Sequence, residues 1–199
     1  MRQIIISVKP FLKIVLPFLM VSSCGKYKLL RQYGLKPATI KVKNDKAFVD
    51  GVLGKVFFNK LNKTLKKHPE IKTLVLNNIP GSINDEWTMK ACHLTYTKGL
   101  ETELLENSIV KSGGTDLFVS GKKLHIAKGA KIGVHSWDGA EKPAISYPKT
   151  HDEHKMFLDL YRQVEIDTAF YWFTLKAAPP QEMHYMTEKE IEFYFDHKL

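Results

Sequence analysis

Strand-like and helix-like segments alternate along the chain from Ala38 to its end, and this order constrains the fold most. Alternating or continuous apolar residues predict strands in six segments: 40–42, 47–52, 71–76, 100–110, 124–126 and 131–135. Helical spacing or capping signals predict helices in six others: 57–65, 85–96, 115–120, 151–164, one beginning near 167, and one after a capping box at 187–190. This alternation predicts an α/β domain with a largely parallel sheet flanked by helices.

The composition of the chain argues against some classes of binding partner and of metal site. The chain has 199 residues and 44% hydrophobic residues, which is typical of one domain with a proper core. Its formal net charge is +9, but the basic residues are scattered and accompany no motif that reads DNA or RNA. Nucleic acid is therefore not expected as a partner. Cys24 and Cys92 are the two cysteines of the sequence, so neither a disulfide framework nor a cysteine metal cluster is expected, and no cofactor is implied.

The first 24 residues have the order of features found in secretory signals. Residues 1–23 carry three basic residues and no acidic residue, and the apolar stretch 14–20 is too short to span a bilayer. The sequence VSSC, ending at Cys24, resembles the lipobox of bacterial lipoproteins. The resemblance implies a signal peptide at 1–23, acylation of Cys24 by palmitate-like chains, and a tether at 24–37. The alternatives are an ordinary signal peptide with a chance cysteine, or a buried N-terminal helix.

The residues after Cys24 suggest a destination. Gly25 follows the cysteine, and no acidic residue lies nearby. This context is similar to that of lipoproteins delivered to the outer membrane. The expected location is the bacterial cell envelope, with the chain anchored to the outer membrane through Cys24 and facing the periplasm.

Three loop segments resemble those of one superfamily. They are LVLNNIPGSINDE (Leu74–Glu86), KSGGTDLFVSGK (Lys111–Lys122) and AKIGVHSWDG (Ala130–Gly139). In this order they resemble the ClpP/crotonase superfamily, on the side of the ClpP-like serine peptidases and their bacterial extracytoplasmic members. The resemblance covers residues 38–199. It implies a ClpP/crotonase-like fold of repeated β-β-α units, and a homo-oligomer that is a trimer or larger.

Two of these segments contain residues suited to nucleophilic catalysis. Ser112 lies where a strand turns into a helix, and a serine hydroxyl becomes a nucleophile when a base removes its proton. His135 ends an apolar strand, and an imidazole can serve as that base near neutral pH. The resemblance implies these roles for Ser112 and His135. From the residues alone, a helix cap at Ser112 and a structural role for His135 stay open.

The remaining site residues are implied by the same resemblance. The backbone amides of Gly81 and Gly113 would form the oxyanion hole, although Pro80, which has no N–H, stands where the family has its first turn glycine. Asp167, in VEIDTAF, would be the carboxylate that orients the histidine. The alternatives are that Asp167 caps a helix, that Asp138 or Asp152 is the carboxylate, or that a Ser–His dyad works without one.

The sequence thus predicts a serine hydrolase, of peptidase type, acting on a peptide or protein. The alternative is a non-catalytic lipoprotein of the same fold that binds a peptide or a protein partner, since fold alone does not determine function. Acyl-CoA chemistry fits poorly, because the predicted export places the domain where CoA is not expected.

Overall fold

The computed structural model describes the strands Ile6–Val8 and Leu12–Ile14, residues 35–139 and residues 142–199. The first two strands, β1 (Ile6–Val8) and β2 (Leu12–Ile14), pair antiparallel. Cys24 and most of the predicted signal peptide and tether lie outside the described residues. Within the described ranges, none of the helices combines the length and apolar character needed to cross a bilayer.

The larger of the two main sheets has five strands in the spatial order β3-β4-β5-β7-β9. Its first two strands form an antiparallel hairpin, and the other neighbours are parallel. The strands are β3 (Thr39–Lys43), β4 (Lys46–Asp50), β5 (Thr73–Leu76), β7 (Glu101–Leu104) and β9 (Leu124–Ile126).

A second sheet has four strands in the order β11-β10-β8-β6. The strands are β6 (Asn78–Ile79), β8 (Ile109–Lys111), β10 (Lys131–Val134) and β11 (His184–Tyr185). β6, β8 and β10 are parallel, and β11 runs antiparallel to β10. The chain enters the two sheets alternately, first through β5 and β6 and then through β7 and β8. Each of these strand pairs is followed by a helix, which gives the repeated β-β-α units.

In the described ranges, six α-helices surround these sheets. They are α1 (Lys55–Lys67), α2 (Asp85–Thr97), α3 (Gly113–Val119), α4 (Lys155–Gln163), α5 (Thr168–Ala177) and α6 (Glu188–Phe195). The predicted capping box at the start of α6 is confirmed, because the Thr187 hydroxyl accepts from the Glu190 amide and the Glu190 carboxylate accepts from the Thr187 amide.

The predicted strand at 100–110 is in fact two strands that belong to different sheets. A turn separates β7 from β8, because the Ser108 hydroxyl accepts from the Leu105 amide at 2.9 Å and the Ser108 amide donates to the Leu105 carbonyl at 2.8 Å. Serine favours such local bonds to the backbone over a sheet ladder. The turn lets the chain leave the larger sheet and arrive, at the end of β8, in front of α3.

The core lies between the sheets and the helices. All seven residues of α3 are buried, and Cys92 of α2 is fully buried, as expected for a small apolar group. Aromatic residues of α5, above all Phe170 and Tyr171, are fully buried and pack against Phe195 and Phe157. Ser112 immediately precedes the buried helix α3.

Candidate active site

Ser112 occupies the one-residue turn between β8 and α3 in a strained conformation. Its φ of 51° and ψ of −123° lie in the left-handed half of the map, which non-glycine residues seldom adopt. The Ser112 amide donates to the Gly133 carbonyl of β10 at 3.0 Å, and this bond ties the turn to the neighbouring strand. The Ser112 side chain makes no capping bond to α3. A serine on a sharp strand-to-helix turn presents its hydroxyl outward, as nucleophilic serines do.

His135 follows the last residue of β10 and is only 6% exposed. Its Nδ1 lies 3.1 Å from the carbonyl oxygen of Pro180. A carbonyl can only accept a hydrogen bond, so Nδ1 carries the proton in this contact. In the neutral ring Nε2 is then the basic nitrogen, which is the tautomer a general base needs.

The structure brings Ser112 and His135 to one place. β8 and β10 are parallel neighbours, with Lys111 opposite Gly133, so the residues after the two strands lie at the same sheet edge. Ser112 and His135 line a common cavity of about 10 Å³. That volume is close to the space that a single water molecule requires. Ser112 is partly exposed at this edge, whereas His135 lies below it.

The backbone around Gly81 and Gly113 surrounds the serine. Gly81 has a φ of +138°, and a Cβ placed on it would lie 3.6 Å from the Ser112 Cβ. A Cβ on Gly113 would lie 2.7 Å from the Cβ of Ser82, so only glycine permits the loop to approach α3 this closely. In the described part of the chain, the structure records no acceptor for the amide of Gly81 or of Gly113. Both N–H groups are therefore available to an anion beside Ser112.

The structure places Asp167 away from this cavity. Asp167 is exposed at the start of α5, and its Oδ1 accepts from the Ala169 amide at 2.8 Å. It is the N-cap of α5, which was the alternative considered from the sequence. Asp138 lies at a bridge to Pro143, and Asp152 begins a short 3-10 helix. The cavity lining includes none of the three.

Asp116 is the carboxylate that does line the cavity. It is 2% exposed and lies one helical turn after Ser112, in α3. The Tyr161 hydroxyl donates to the Asp116 Oδ1 at 2.6 Å. Sequence reasoning missed Asp116, although a carboxylate inside the apolar helix sequence GGTDLFV was a usable signal, because acidic residues are rarely fully buried without a partner.

The other histidines have different surroundings. His125 contacts Glu101 at 2.7 Å, and His184 contacts Glu190 at 2.9 Å, both near the surface. His154 is fully buried against Tyr171. Among the described residues, no group of three histidine, cysteine or acidic side chains could hold a metal ion.

Comparison with known proteins supports the fold. No protein-family model and no curated protein sequence matches the chain. The structure is similar to that of a serine-to-alanine mutant of the 1510-N membrane-bound stomatin-specific protease, with a TM-score of 0.51 and 12% identity over 77% of this chain and 78% of that chain. The domain has a ClpP/crotonase-like fold. The fold prediction is thereby confirmed.

Two further solved structures extend the comparison. A lysine-to-alanine mutant of the same protease, in complex with a substrate peptide, has a TM-score of 0.51 and 11% identity over 77% of this chain and 74% of that chain. An enoyl-CoA hydratase from Bacillus anthracis has a TM-score of 0.37 and 12% identity over 48% of this chain and 49% of that chain. At 11–12% identity, the likeness to the protease concerns the fold alone.

Proposed function

We propose that this protein is a serine hydrolase of peptidase type, with Ser112 as the nucleophile and His135 as the general base. One observation carries the proposal: a strained, partly exposed Ser112 shares a cavity with a buried histidine whose Nδ1 is bound to a carbonyl. A merely structural serine has no need of a left-handed turn, whereas a nucleophile gains exposure from it.

The reaction would proceed in two acyl-transfer steps. The His135 Nε2 takes the proton of the Ser112 hydroxyl as Oγ attacks the carbonyl carbon of the substrate. The amides of Gly81 and Gly113 bind the oxygen on which negative charge develops. The protonated His135 then donates to the leaving amine, and a water molecule hydrolyses the acyl-enzyme by the same route.

We infer that a second group assists His135. The Pro180 carbonyl fixes the ring but is neutral, so it balances only part of the positive charge formed during each step. Asp116 is a buried acid in the same cavity, and its Oδ1 is bonded to Tyr161. We propose that Asp116, and not Asp167, supplies the negative charge that favours the imidazolium.

A peptide is the proposed substrate. The protease with the similar fold was solved with a substrate peptide, and Ser112 lies at the carboxyl end of parallel strands, where open α/β sheets bind ligands. The cavity of about 10 Å³ below Ser112 has room for a single water-sized group, so the peptide would lie over Ser112 on the outer side of the turn.

A fluorophosphonate probe, which reacts with activated serines, tests the proposal. We expect the probe to label the full-length wild-type protein and to leave Ser112→Ala unlabelled. Ser146→Ala is the matched control, because Ser146 is exposed and lies in a short 3-10 helix outside the cavity lining. Wild-type protein that is folded by circular dichroism and yet unlabelled at saturating probe would refute the hydrolase.

The same labelling experiment tests a second candidate function, in which the domain binds a peptide without catalysing a reaction. The burial of His135 and the one-water cavity favour this alternative, because a base must reach the proton that it removes. A folded, unlabelled wild-type protein would support it.

We also propose that the chain is lipid-anchored at Cys24 in the bacterial envelope. The support is the order of charge, apolar stretch, small residues and cysteine in residues 1–24. Metabolic labelling with an alkyne analogue of palmitate tests the anchor. We expect label in wild type and none in Cys24→Ala, and equal labelling of the two variants would exclude acylation at Cys24.

A further inference from the structure

A cleft of about 940 Å³ lies between the last strand of the five-stranded sheet and helix α6. We call it the β9–α6 cleft. Its floor and walls include Leu124 and Ile126 of β9, and Glu188, Ile191 and Glu192 of α6. Ser112 and His135 belong to the other sheet and line a separate cavity. The β9–α6 cleft therefore needs an explanation of its own.

One side of the cleft is an open strand edge. The Thr102 amide donates to the Lys123 carbonyl at 3.0 Å, and the Ala127 amide donates to the Leu104 carbonyl at 2.9 Å, so residues 123 and 127 face β7. In a parallel sheet, successive residues point their backbone N–H and C=O groups to alternate sides of the strand. The groups of Leu124 and Ile126 therefore point away from β7. In the part of the chain that the structure describes, these outward groups have no recorded backbone partner. They can pair with an added strand.

The opposite wall is acidic. Glu188, Glu192 and Asp196 line the cleft at intervals of four residues, and therefore share one face of α6. None of the three forms a salt bridge with another described residue. Like charges at this spacing repel, and Asp196 at the C-terminal end of α6 also opposes the helix dipole. In a chain with a net charge of +9, an acidic row thus lines this cleft, with Lys128 as the basic residue on the opposite side.

We propose that the β9–α6 cleft binds an extended, basic peptide segment of a partner protein as an additional strand beside β9. The outward backbone groups of Leu124 and Ile126 would pair with the peptide backbone, as in other cases of strand addition. Apolar side chains of the peptide would contact Ile191, and its lysine or arginine side chains would meet Glu188, Glu192 and Asp196. Charge complementarity identifies the occupant, because an acidic peptide would be repelled by this wall.

The test uses the full-length chain and a defined probe. The probe is a fluorescein-labelled octapeptide of alternating lysine and valine, followed by fluorescence anisotropy. Glu188→Gln, Glu192→Gln and Asp196→Asn are combined in one variant that neutralises the wall. A matched variant removes three acids outside the cleft by combining Asp50→Asn, Glu153→Gln and Glu182→Gln, all exposed positions.

We expect wild type and the matched variant to bind the probe equally, and the wall variant to bind about tenfold more weakly or worse, with weaker binding in salt. Strand addition is tested by Ile126→Pro, which removes one outward N–H and leaves the bonds to β7 intact. A probe that is N-methylated at alternate residues tests the same point without altering the protein. Both changes should abolish binding.

Three results would overturn the proposal. The first is no binding of the probe to wild type at about 1 mM, a concentration at which even weak sites fill. The second is equal binding of the plain and N-methylated probes, because the peptide would then be held by charge without backbone pairing to β9. The third is a wild-type dimer that the wall variant converts to monomer, because the occupant would then be a second copy of this chain.

Discussion

The Nδ1 atom of His135 lies 3.1 Å from the carbonyl oxygen of Pro180. This contact joins residues 45 positions apart and fixes the ring of a histidine that is 6% exposed. In serine hydrolases with a full triad a carboxylate occupies this position, and it both orients the imidazole and stabilises its charged form. A carbonyl does the first of these tasks fully and the second only in part. The expected catalyst is therefore oriented but weaker than one with a carboxylate there.

If His135 is the general base, its removal must lower the reactivity of Ser112 towards the probe. We expect His135→Ala to lower the rate of fluorophosphonate labelling by about 10²–10⁴-fold, the range typical of a lost general base. His151→Ala is the control, because His151 is an exposed histidine outside the cavity lining. Labelling of folded His135→Ala at the wild-type rate would show that another group activates the serine.

Substitutions of the two candidate carboxylates, Asp167 and Asp116, should affect stability and the labelling rate differently. We expect Asp167→Ala to lower the free energy of unfolding by about 1 kcal/mol, because it removes the N-cap of α5, and to leave the labelling rate unchanged. We expect Asp116→Asn to slow labelling by at least about tenfold, because the negative charge near His135 is lost. Urea unfolding and probe kinetics on the same samples measure both quantities.

Tyr161→Phe provides the control for Asp116. It removes the hydroxyl that donates to Oδ1 but keeps the carboxylate. We expect a loss of stability with labelling within a few-fold of wild type. If Asp116→Asn labels normally while Asp167→Ala does not, the original assignment of Asp167 would be restored.

The placement of Ser112 and His135 at one sheet edge was predictable from local patterns, whereas their proposed roles were implied by the resemblance to ClpP-like peptidases. Each residue comes immediately after an apolar strand, and parallel neighbouring strands bring such residues to one sheet edge. The glycines near them also have local signatures, since Gly81 and Gly113 mark a turn and a close backbone approach.

The partners of the histidine were not predictable in the same way. The Pro180 carbonyl belongs to the backbone, so no side chain distinguishes it from any other carbonyl of the chain. The contact of Asp116 with Tyr161 depends on how α4 packs beside α3, which one sequence does not reveal. Asp167 was open to two interpretations because aspartate suits both a triad and a helix N-cap. These contacts depend on tertiary packing, which the sequence pattern leaves open.

His154 gives the fold a sensitivity to acid. The Tyr171 hydroxyl accepts from the Trp137 indole at 2.9 Å and lies 2.6 Å from the His154 Nδ1. His154 itself is fully buried, with 0% of its surface exposed. Burial lowers the pKa of His154 below its ordinary value of 6.5. The folded state therefore resists a protonation that the unfolded chain accepts.

We expect stability to fall as the pH drops below about 6.5, because the unfolded chain then binds a proton at His154 that the folded chain does not. The slope from this residue is at most about 1.4 kcal/mol per pH unit. His154→Phe keeps the aromatic volume and should remove this component. His93→Phe, at an exposed position, should follow the wild-type pH profile. Identical profiles for wild type and His154→Phe in urea unfolding between pH 5 and pH 7 would contradict this account.

Lys198 is a buried lysine that joins two helix ends. It is 5% exposed, and its Nζ donates to the carbonyls of Val119 and Val164, each at 2.9 Å. These carbonyls lie at the C-terminal ends of α3 and α4, where a donor satisfies groups that the helices leave unpaired. Burial lowers the pKa of Lys198 from 10.5 to about 8. The neutral amine still has two N–H groups, enough for both carbonyls.

Because the pKa of Lys198 is lower in the folded than in the unfolded state, its effect on stability has a definite sign. Between pH 8 and pH 10.5 the unfolded chain holds a proton at Lys198 that the folded chain has released, so stability rises with pH across this window. The rise is at most about 3 kcal/mol. We expect the difference in unfolding free energy between wild type and Lys198→Met to grow over this range, and that for Lys189→Met, at an exposed lysine of α6, to stay constant. A constant difference for Lys198→Met would show that the buried amine keeps its proton in the fold.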